Sequence, residues 1–147
     1  MPSFEDYKKE AIILKPGDRI EIPKTDQIPI GCLGALHDSQ YHSLIIGNDW
    51  GSELKSYNYA YPDTIIVNIE LCQCNLTEEQ SLKKMPAKLL FLDVTKFEAK
   101  IDEHLPTEIQ HLSFNKELNE WELALYTGGD VNTIIKIKCE SAQIKID

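Results

Sequence analysis

Apolar and polar residues alternate along most of the second half of this 147-residue chain, from Lys88 to Asp147. Successive side chains on a strand point to opposite faces of the sheet, so a period of two indicates strands with one buried face. The runs are short and are interrupted by turn residues, which leaves almost no room for a long helix. The sequence therefore predicts a mainly β protein before it indicates any function.

Strand composition marks up to nine segments, at 18–22, 41–46, 63–74, 88–94, 95–101, 109–114, 120–126, 131–139 and 143–146. The segment 63–74 is the strongest, because four large apolar residues alternate along it. Segments 88–94 and 95–101 are interpreted either as a strand pair or as one bent strand. The sequence Thr127-Gly128-Gly129-Asp130 predicts a tight hairpin, since consecutive glycines supply the positive φ that such turns need.

Helix is expected only after the segment Thr77-Glu78-Glu79-Gln80, which matches a capping box and allows one or two helical turns before Pro86. The length fits one domain over residues 1–147, with no repeat and no linker. The prediction is an antiparallel sheet curled into a sandwich or an open barrel, with at most one or two short helices, so that an α+β class stays open.

Charge limits the classes of partner. The chain has 15 Lys and Arg against 24 Asp and Glu, a net charge of −9. That balance repels nucleic-acid phosphate and anionic lipid surfaces. The sequence therefore predicts no nucleic-acid or membrane partner, and it predicts that a charged partner is basic.

The compartment is predicted from what the sequence lacks. No secretory pattern is found in the first ten residues, and the longest apolar runs, such as Leu89–Leu92, are far shorter than the ~20 residues of a membrane-spanning helix. The four cysteines are sparse, which is typical of reduced thiols. We expect a cytoplasmic protein.

The triplet His37-Asp38-Ser39 combines an imidazole, a carboxylate and a hydroxyl. If the triplet lay on a strand, His37 and Asp38 would point to opposite faces and could not orient each other as in a catalytic triad. We interpret it as a structural turn motif in which Asp38 or Ser39 caps backbone amides. No acid–base pair can be assigned among the dispersed carboxylates, and we expect a protein without catalytic activity.

Cys72 and Cys74 share one strand face, and four histidines could add ligands. The cysteine spacing does not match the paired knuckles of structural zinc sites. We therefore expect free thiols, with no metal and no cofactor.

An aromatic segment lies between two predicted strands. Its residues are the candidates for binding a partner, because Tyr and Trp are enriched at protein interfaces. They are Asp49, Trp50, Tyr57, Tyr59 and Tyr61. The alternative is that the three tyrosines form one core-facing side of a strand, with carbohydrate stacking as a third interpretation.

The sequence also resembles a known group of proteins. The residues that carry the resemblance are Leu36-His37-Asp38-Ser39 before a strand, Leu90-Phe91-Leu92-Asp93-Val94 followed by Phe97, and the terminal pair Ile135-Lys136-Ile137-Lys138-Cys139 and Ile144-Lys145-Ile146. Over residues 34–147 the chain resembles small bacterial β-rich proteins that include immunity proteins of polymorphic toxin systems. The resemblance implies a cytosolic protein that binds a toxin domain and blocks it, without catalysis of its own.

Two other functions stay open. One is a structural adaptor that oligomerises through an exposed strand edge such as 143–146. The other is a small-ligand binder with a sheet cavity lined by His37, Tyr57 or Tyr59.

Overall fold

Nine strands and no helix make up the part of the chain that the structure describes. This part of the computed structural model covers residues 11–32, 34–46, 64–74, 82–101, 105–127 and 130–147. The strands form one antiparallel sheet that is not closed into a barrel. The prediction of a mainly β, antiparallel fold is confirmed. Within the same ranges no helix is long and apolar enough to cross a membrane.

The strands are β1 (Arg19–Glu21), β2 (Gln40–Ile46), β3 (Ile65–Cys74), β4 (Leu82–Leu92), β5 (Lys96–Ile101), β6 (Glu108–Asn115), β7 (Glu120–Thr127), β8 (Asp130–Lys138) and β9 (Ser141–Ile146). Their order across the sheet is β1-β9-β4-β3-β2-β6-β7-β8-β5. Most strands predicted from the sequence recur within one or two residues of these bounds. In the β7–β8 hairpin Thr127 pairs with Asp130, and the two glycines between them lie outside the described residues.

The sheet consists of two parts that face each other. The first part contains β1, β9, β4, β3 and β2, and the second contains β6, β7, β8 and β5. Between β2 and β6 the ladder has a single pair, Gln40 with Glu108, so the two parts separate there. Phe91 of β4 and Trp121 of β7 meet edge to face with ring centroids 6.4 Å apart, although their strands are not neighbours. The sheet is therefore curled over its own inner face.

The core fills the space between the two parts. Trp121 is fully buried at its centre, and its ring also meets Phe114 edge to face at 4.9 Å. Alternate residues of β3, β4, β7, β8 and β9 surround this cluster. This arrangement explains the period of two, because each strand contributes every second side chain to one shared interior.

The chain passes from one part of the sheet to the other at two places, between β4 and β5 and between β8 and β9. Leu92 pairs with Ser141 in the first part, and Lys96 pairs with Lys138 in the second. Three residues lie between Leu92 and Lys96, but only two lie between Lys138 and Ser141. Asp93, with a φ of +56°, accommodates the additional residue of the first connection. Neither interpretation of 88–101, a strand pair or one bent strand, is correct, since β4 and β5 are separate strands that do not pair with each other.

The segment before Pro86 differs from its prediction. β4 already begins at Leu82, so the helical turns expected up to Pro86 are wrong for residues 82–86, while the capping box at 77–80 lies outside the described residues. The carbonyl of Pro86 accepts from the amide of Asp147 at 3.0 Å. The N and C=O of one residue in an antiparallel strand point toward the same neighbouring strand. The nitrogen of Pro86, which carries no hydrogen, therefore points toward the end of β9, and the hydrogen bonds between β4 and β3 are not interrupted.

The strand edge predicted at 143–146 is also wrong. β9 lies between β1 and β4 and pairs with both. The two edge strands of the sheet are the three-residue β1 and the six-residue β5. Periodicity alone cannot identify an edge strand, because edge and interior strands of an antiparallel sheet both alternate.

Candidate functional site

A strained turn precedes β2 and contains the His37-Asp38-Ser39 triplet. Ala35, Leu36 and Asp38 have φ of 53°, 61° and 66°, in the left-handed region that costs an L-residue roughly 1–2 kcal/mol. The turn is held by Leu36, whose side chain is fully buried and whose amide donates to the carbonyl of Ile30 at 2.7 Å. Such strained backbone is maintained only where the surrounding packing imposes it.

Gly31 and Ser39 fasten this turn to the sheet. A Cβ on Gly31, where φ is +91°, would lie 2.8 Å from the Cα of Leu36, so only glycine fits. The buried hydroxyl of Ser39 accepts a hydrogen bond from the amide of Cys72 on β3 at 3.0 Å. The carbonyl of Ser39 accepts from the amide of Ile109 on β6 at 2.8 Å. Ser39 therefore joins the turn to both parts of the sheet.

His37 lies beside Asp38. On a strand their side chains would point apart, but the two residues belong to a turn, as the interpretation of a structural turn motif expects. Nδ1 of His37 donates to the carbonyl of Gln110 at 2.9 Å, and Nε2 lies 3.4 Å from Oδ1 of Asp38. The hydroxyl of Ser39 is engaged with the amide of Cys72, so the three side chains do not assemble as a triad.

Asp38 and Tyr126 form the polar cluster of this region. The hydroxyl of Tyr126 donates to Oδ1 of Asp38 at 2.8 Å. Hydrogen bonding to Glu108, then burial and the neighbouring carboxylate of Asp38, raise the pKa of Tyr126 above its ordinary value. The phenol therefore keeps its proton and serves as a donor between two carboxylates.

The cysteines are dispersed among the buried residues. Cys32, Cys72 and Cys139 are buried, while nothing is described of the side chain of Cys74. Burial raises the pKa of Cys139 to about 11, so its thiol stays protonated at neutral pH. In the described ranges no group of three or more His, Cys, Asp and Glu lies close enough to hold a metal ion.

An apolar groove of about 490 Å³ lies between β2 and the second part of the sheet. Its walls come from β2, β5, β7 and β8, and the segment before β6 closes one side. The lining residues are Tyr41, His42, Leu44, Ile46, Phe97, Ala99, Ile101, Leu105, Pro106, Leu125, Thr133 and Ile135. Three of them are largely exposed, with 57% of Ile46, 64% of Ile101 and 81% of Leu105 accessible. Exposed apolar side chains that line a concave surface are typical of a binding site.

Two strand edges that have no partner among the described residues border the groove. β2 pairs with β3 along its length, but from His42 to Ile46 no described residue hydrogen-bonds to its other edge. In the part of the chain that the structure describes, β5 pairs with β8 alone, along Lys96–Ile101. The groove therefore combines apolar side chains with unpaired backbone donors and acceptors.

The polar cluster lies close to one end of the groove. Asp38 precedes β2 by two residues, and Tyr126 follows the groove residue Leu125. The amide of Tyr41 donates to the carbonyl of Thr107 at 2.9 Å, and the amide of Thr107 donates to the carbonyl of Tyr126 at 3.1 Å. These bonds tie the apolar groove and the two carboxylates of Asp38 and Glu108 into one region of the surface.

The predicted site residues fall into two groups. His37, Asp38 and Ser39 lie in the strained turn, whereas Asp49, Trp50, Tyr57, Tyr59 and Tyr61 lie outside the described residues. His37 does not line the groove, which contains Tyr41 and His42. Tyr57 and Tyr59 lie outside the described residues, so a cavity beside them stays a prediction. No distinct sequence signal marks the groove, since β5 has as many apolar residues as the core strand β9.

Comparison with known proteins finds no matching family model, no matching curated protein and no matching solved structure.

Proposed function

We propose that this protein is a non-catalytic protein-binding module that holds an extended segment of a partner in the groove between β2 and β5. The observation that carries the proposal is the apolar groove of about 490 Å³ bordered by two strand edges that no described residue pairs with. An extended segment can hydrogen-bond to such an edge while alternate side chains enter the groove.

Charge near the groove supports a basic partner. Asp38 and Glu108 place two carboxylates at Tyr126, next to the groove, and the side chain of Asp38 is 46% exposed. A Lys or Arg of the bound segment fits this end, since a cation there meets two carboxylates and a phenol oxygen. We expect the bound segment to be apolar along the groove and cationic at the end near Tyr126.

The rest of the acidic charge lies elsewhere in the sequence. The described ranges contain 12 Lys and Arg and 14 Asp and Glu, a balance of −2, so −7 of the net −9 belongs to the remaining residues. Attraction of a basic partner from a distance therefore depends mainly on those residues, and docking depends on the groove.

The test is a comparison of two matched variants. Ile46 lines the groove and Leu118 lies on the turn between β6 and β7, and their exposed fractions are similar, 57% and 53%. We expect a lysate protein that binds immobilised wild type and the Leu118→Asp variant to be lost with Ile46→Asp. Equal retention by Ile46→Asp would refute binding in the groove. Thermal melting of both variants checks that each is folded.

The resemblance predicts, more specifically than protein binding, that the module inhibits a toxin domain. The captured protein, expressed alone, is then expected to arrest growth, and co-expression of the wild-type module is expected to restore it. The Ile46→Asp variant is expected not to protect. Growth arrest that the wild type does not relieve would leave protein binding in place but would exclude the immunity function.

Binding of a small apolar molecule is the second candidate function. The groove volume lies in the usual range for ligand sites, and its lining is apolar. Native mass spectrometry of the purified protein separates the two functions. A bound small molecule of constant mass that is absent from Ile46→Asp would favour the ligand, and an unmodified mass would favour the segment of a partner protein.

A further inference from the structure

The edge of β5 carries a charge pattern that the proposed function does not use. Phe97, Ala99 and Ile101 line the groove, so Lys96, Glu98 and Lys100 point to the opposite face of the sheet. All three charged residues are exposed. β5 therefore presents an apolar row on one face and a row of alternating charge on the other, beside a backbone edge that has no partner in the described part of the chain.

This pattern is complementary to itself in an antiparallel arrangement. Residues directly opposite each other in such a pair lie on the same face. If two β5 edges meet with Ala99 opposite Ala99, each Glu98 lies opposite Lys100 of the other copy and each Phe97 lies opposite Ile101 of the other copy. The charged face then contains two attractive Lys–Glu pairs, and the inner face contains two apolar pairs.

The neighbouring registers are less favourable. Centring the pair on Glu98 sets Glu98 opposite Glu98 and Lys96 opposite Lys100, so every charged contact is repulsive. Centring it on Phe97 keeps Lys96 opposite Glu98, but only three residues of β5 are then paired. A shift by a single residue sets apolar side chains opposite charged ones.

We propose that β5 pairs with β5 of a second copy of this chain, antiparallel and centred on Ala99, to form a two-fold symmetric dimer. The paired edges continue each sheet into that of the partner. The outward lysines Lys136 and Lys138 of β8 flank the new strand pair, and Glu98 lies opposite Lys136 within each copy. The dimer goes beyond the proposed function, because it forms without another protein and leaves the edge of β2 free.

Charge variants test the register. Lys100→Glu sets a carboxylate opposite Glu98 in both pairs, and Glu98→Lys sets an ammonium opposite Lys100. We expect either variant to weaken dimerisation at least ~10-fold, measured by sedimentation equilibrium from roughly 5 to 500 µM, the range of a small interface. Mixed in equal amounts, the two variants restore Lys–Glu pairs in a heterodimer and are expected to recover wild-type affinity.

Lys138→Glu is the matched control, since it reverses the same charge on β8, away from the edge, and should leave dimerisation unchanged. A wild type that is monomeric over the whole concentration range would overturn the proposal. So would unchanged dimerisation of Lys100→Glu, or a mixture that stays as weak as its components. Melting curves of the three variants check that the fold is retained.

A cross-link tests the position of the symmetry axis. Opposite residues of an antiparallel pair have Cα atoms about 4.5–5.5 Å apart, within the range of a disulfide. We expect Ala99→Cys to form a disulfide-linked dimer under mild oxidation, and Leu118→Cys and the parent chain to stay unlinked. Equal cross-linking of Ala99→Cys and Leu118→Cys would exclude the Ala99 axis. Because Ile46 lies on β2 and not on the paired edge of β5, dimer formation and binding of a partner in the groove can fail independently.

Discussion

Replacing Ser39 by Ala tests whether the strained turn is fastened through one buried hydrogen bond. The change removes the acceptor of the Cys72 amide, which is 3.0 Å from the Ser39 oxygen in a site without solvent exposure. A buried N–H left without an acceptor costs about 1–3 kcal/mol, and the loss of one oxygen atom leaves too little space for a replacement water. We expect the free energy of unfolding to fall by that amount.

Urea unfolding measures this loss. With an m-value of about 2 kcal/mol/M, the midpoint is expected to fall by roughly 0.5–1.5 M without a change in m. Ser43→Ala is the matched control, because its hydroxyl accepts from Asn68 at 2.9 Å at the exposed surface, where water can take its place. Native-state hydrogen exchange should accelerate at the Cys72 amide in Ser39→Ala alone. Equal midpoints for the two variants, or an unchanged exchange rate at Cys72, would refute this account of the turn.

Two further predictions concern Trp121 and Tyr126. The buried indole N–H of Trp121 has no hydrogen-bond partner in the described part of the chain. We expect Trp121→Phe to change the free energy of unfolding by less than about 1 kcal/mol, because removal of an unsatisfied donor offsets the loss of packing. A loss above about 3 kcal/mol in urea unfolding would contradict it. The folded-state pKa of Tyr126 is raised above its ordinary value of 10.0, so its contribution to stability is complete below pH 10 and is lost as the pH rises toward the folded-state value. Wild type is therefore expected to lose stability above pH 10 more steeply than Tyr126→Phe, and parallel curves would exclude a special role for this phenol.

The strands could be predicted from the sequence because their signal is local. In β8 and β9 buried positions alternate with partly buried ones, and this alternation depends only on the direction of successive side chains. The order of the strands could not be predicted in this way. After β8 the chain bends at Cys139 and Glu140 and crosses to the first part of the sheet, where β9 lies in the interior. That bend has no distinct sequence pattern. Pro86 misled the prediction of β4, since its missing N–H is harmless only at the end of a neighbouring strand.

The site was less predictable, because it depends on residues far apart in sequence. Asp38 and Tyr126 are 88 residues apart and meet through a hydrogen bond. The turn conformation of Leu36 is imposed by burial and not by its own preference, since leucine avoids positive φ. The groove arises where β2 and β6 separate after a single residue pair in their ladder, and no local sequence pattern predicts that separation.

The interior position of β9 affects how the chain folds during synthesis. β9 follows all the other described strands in sequence, and it is the only strand that pairs with β1. The bond between Arg19 and Gln143 spans 124 residues, so closing the first part of the sheet is a late and slow step. Until β9 leaves the ribosome, the edge of β4 from Ala87 to Leu92 stays open beside the apolar side chains of Leu89 and Phe91. A growing chain that stalls before Ser141 therefore exposes a long unpaired strand edge, a feature that favours aggregation.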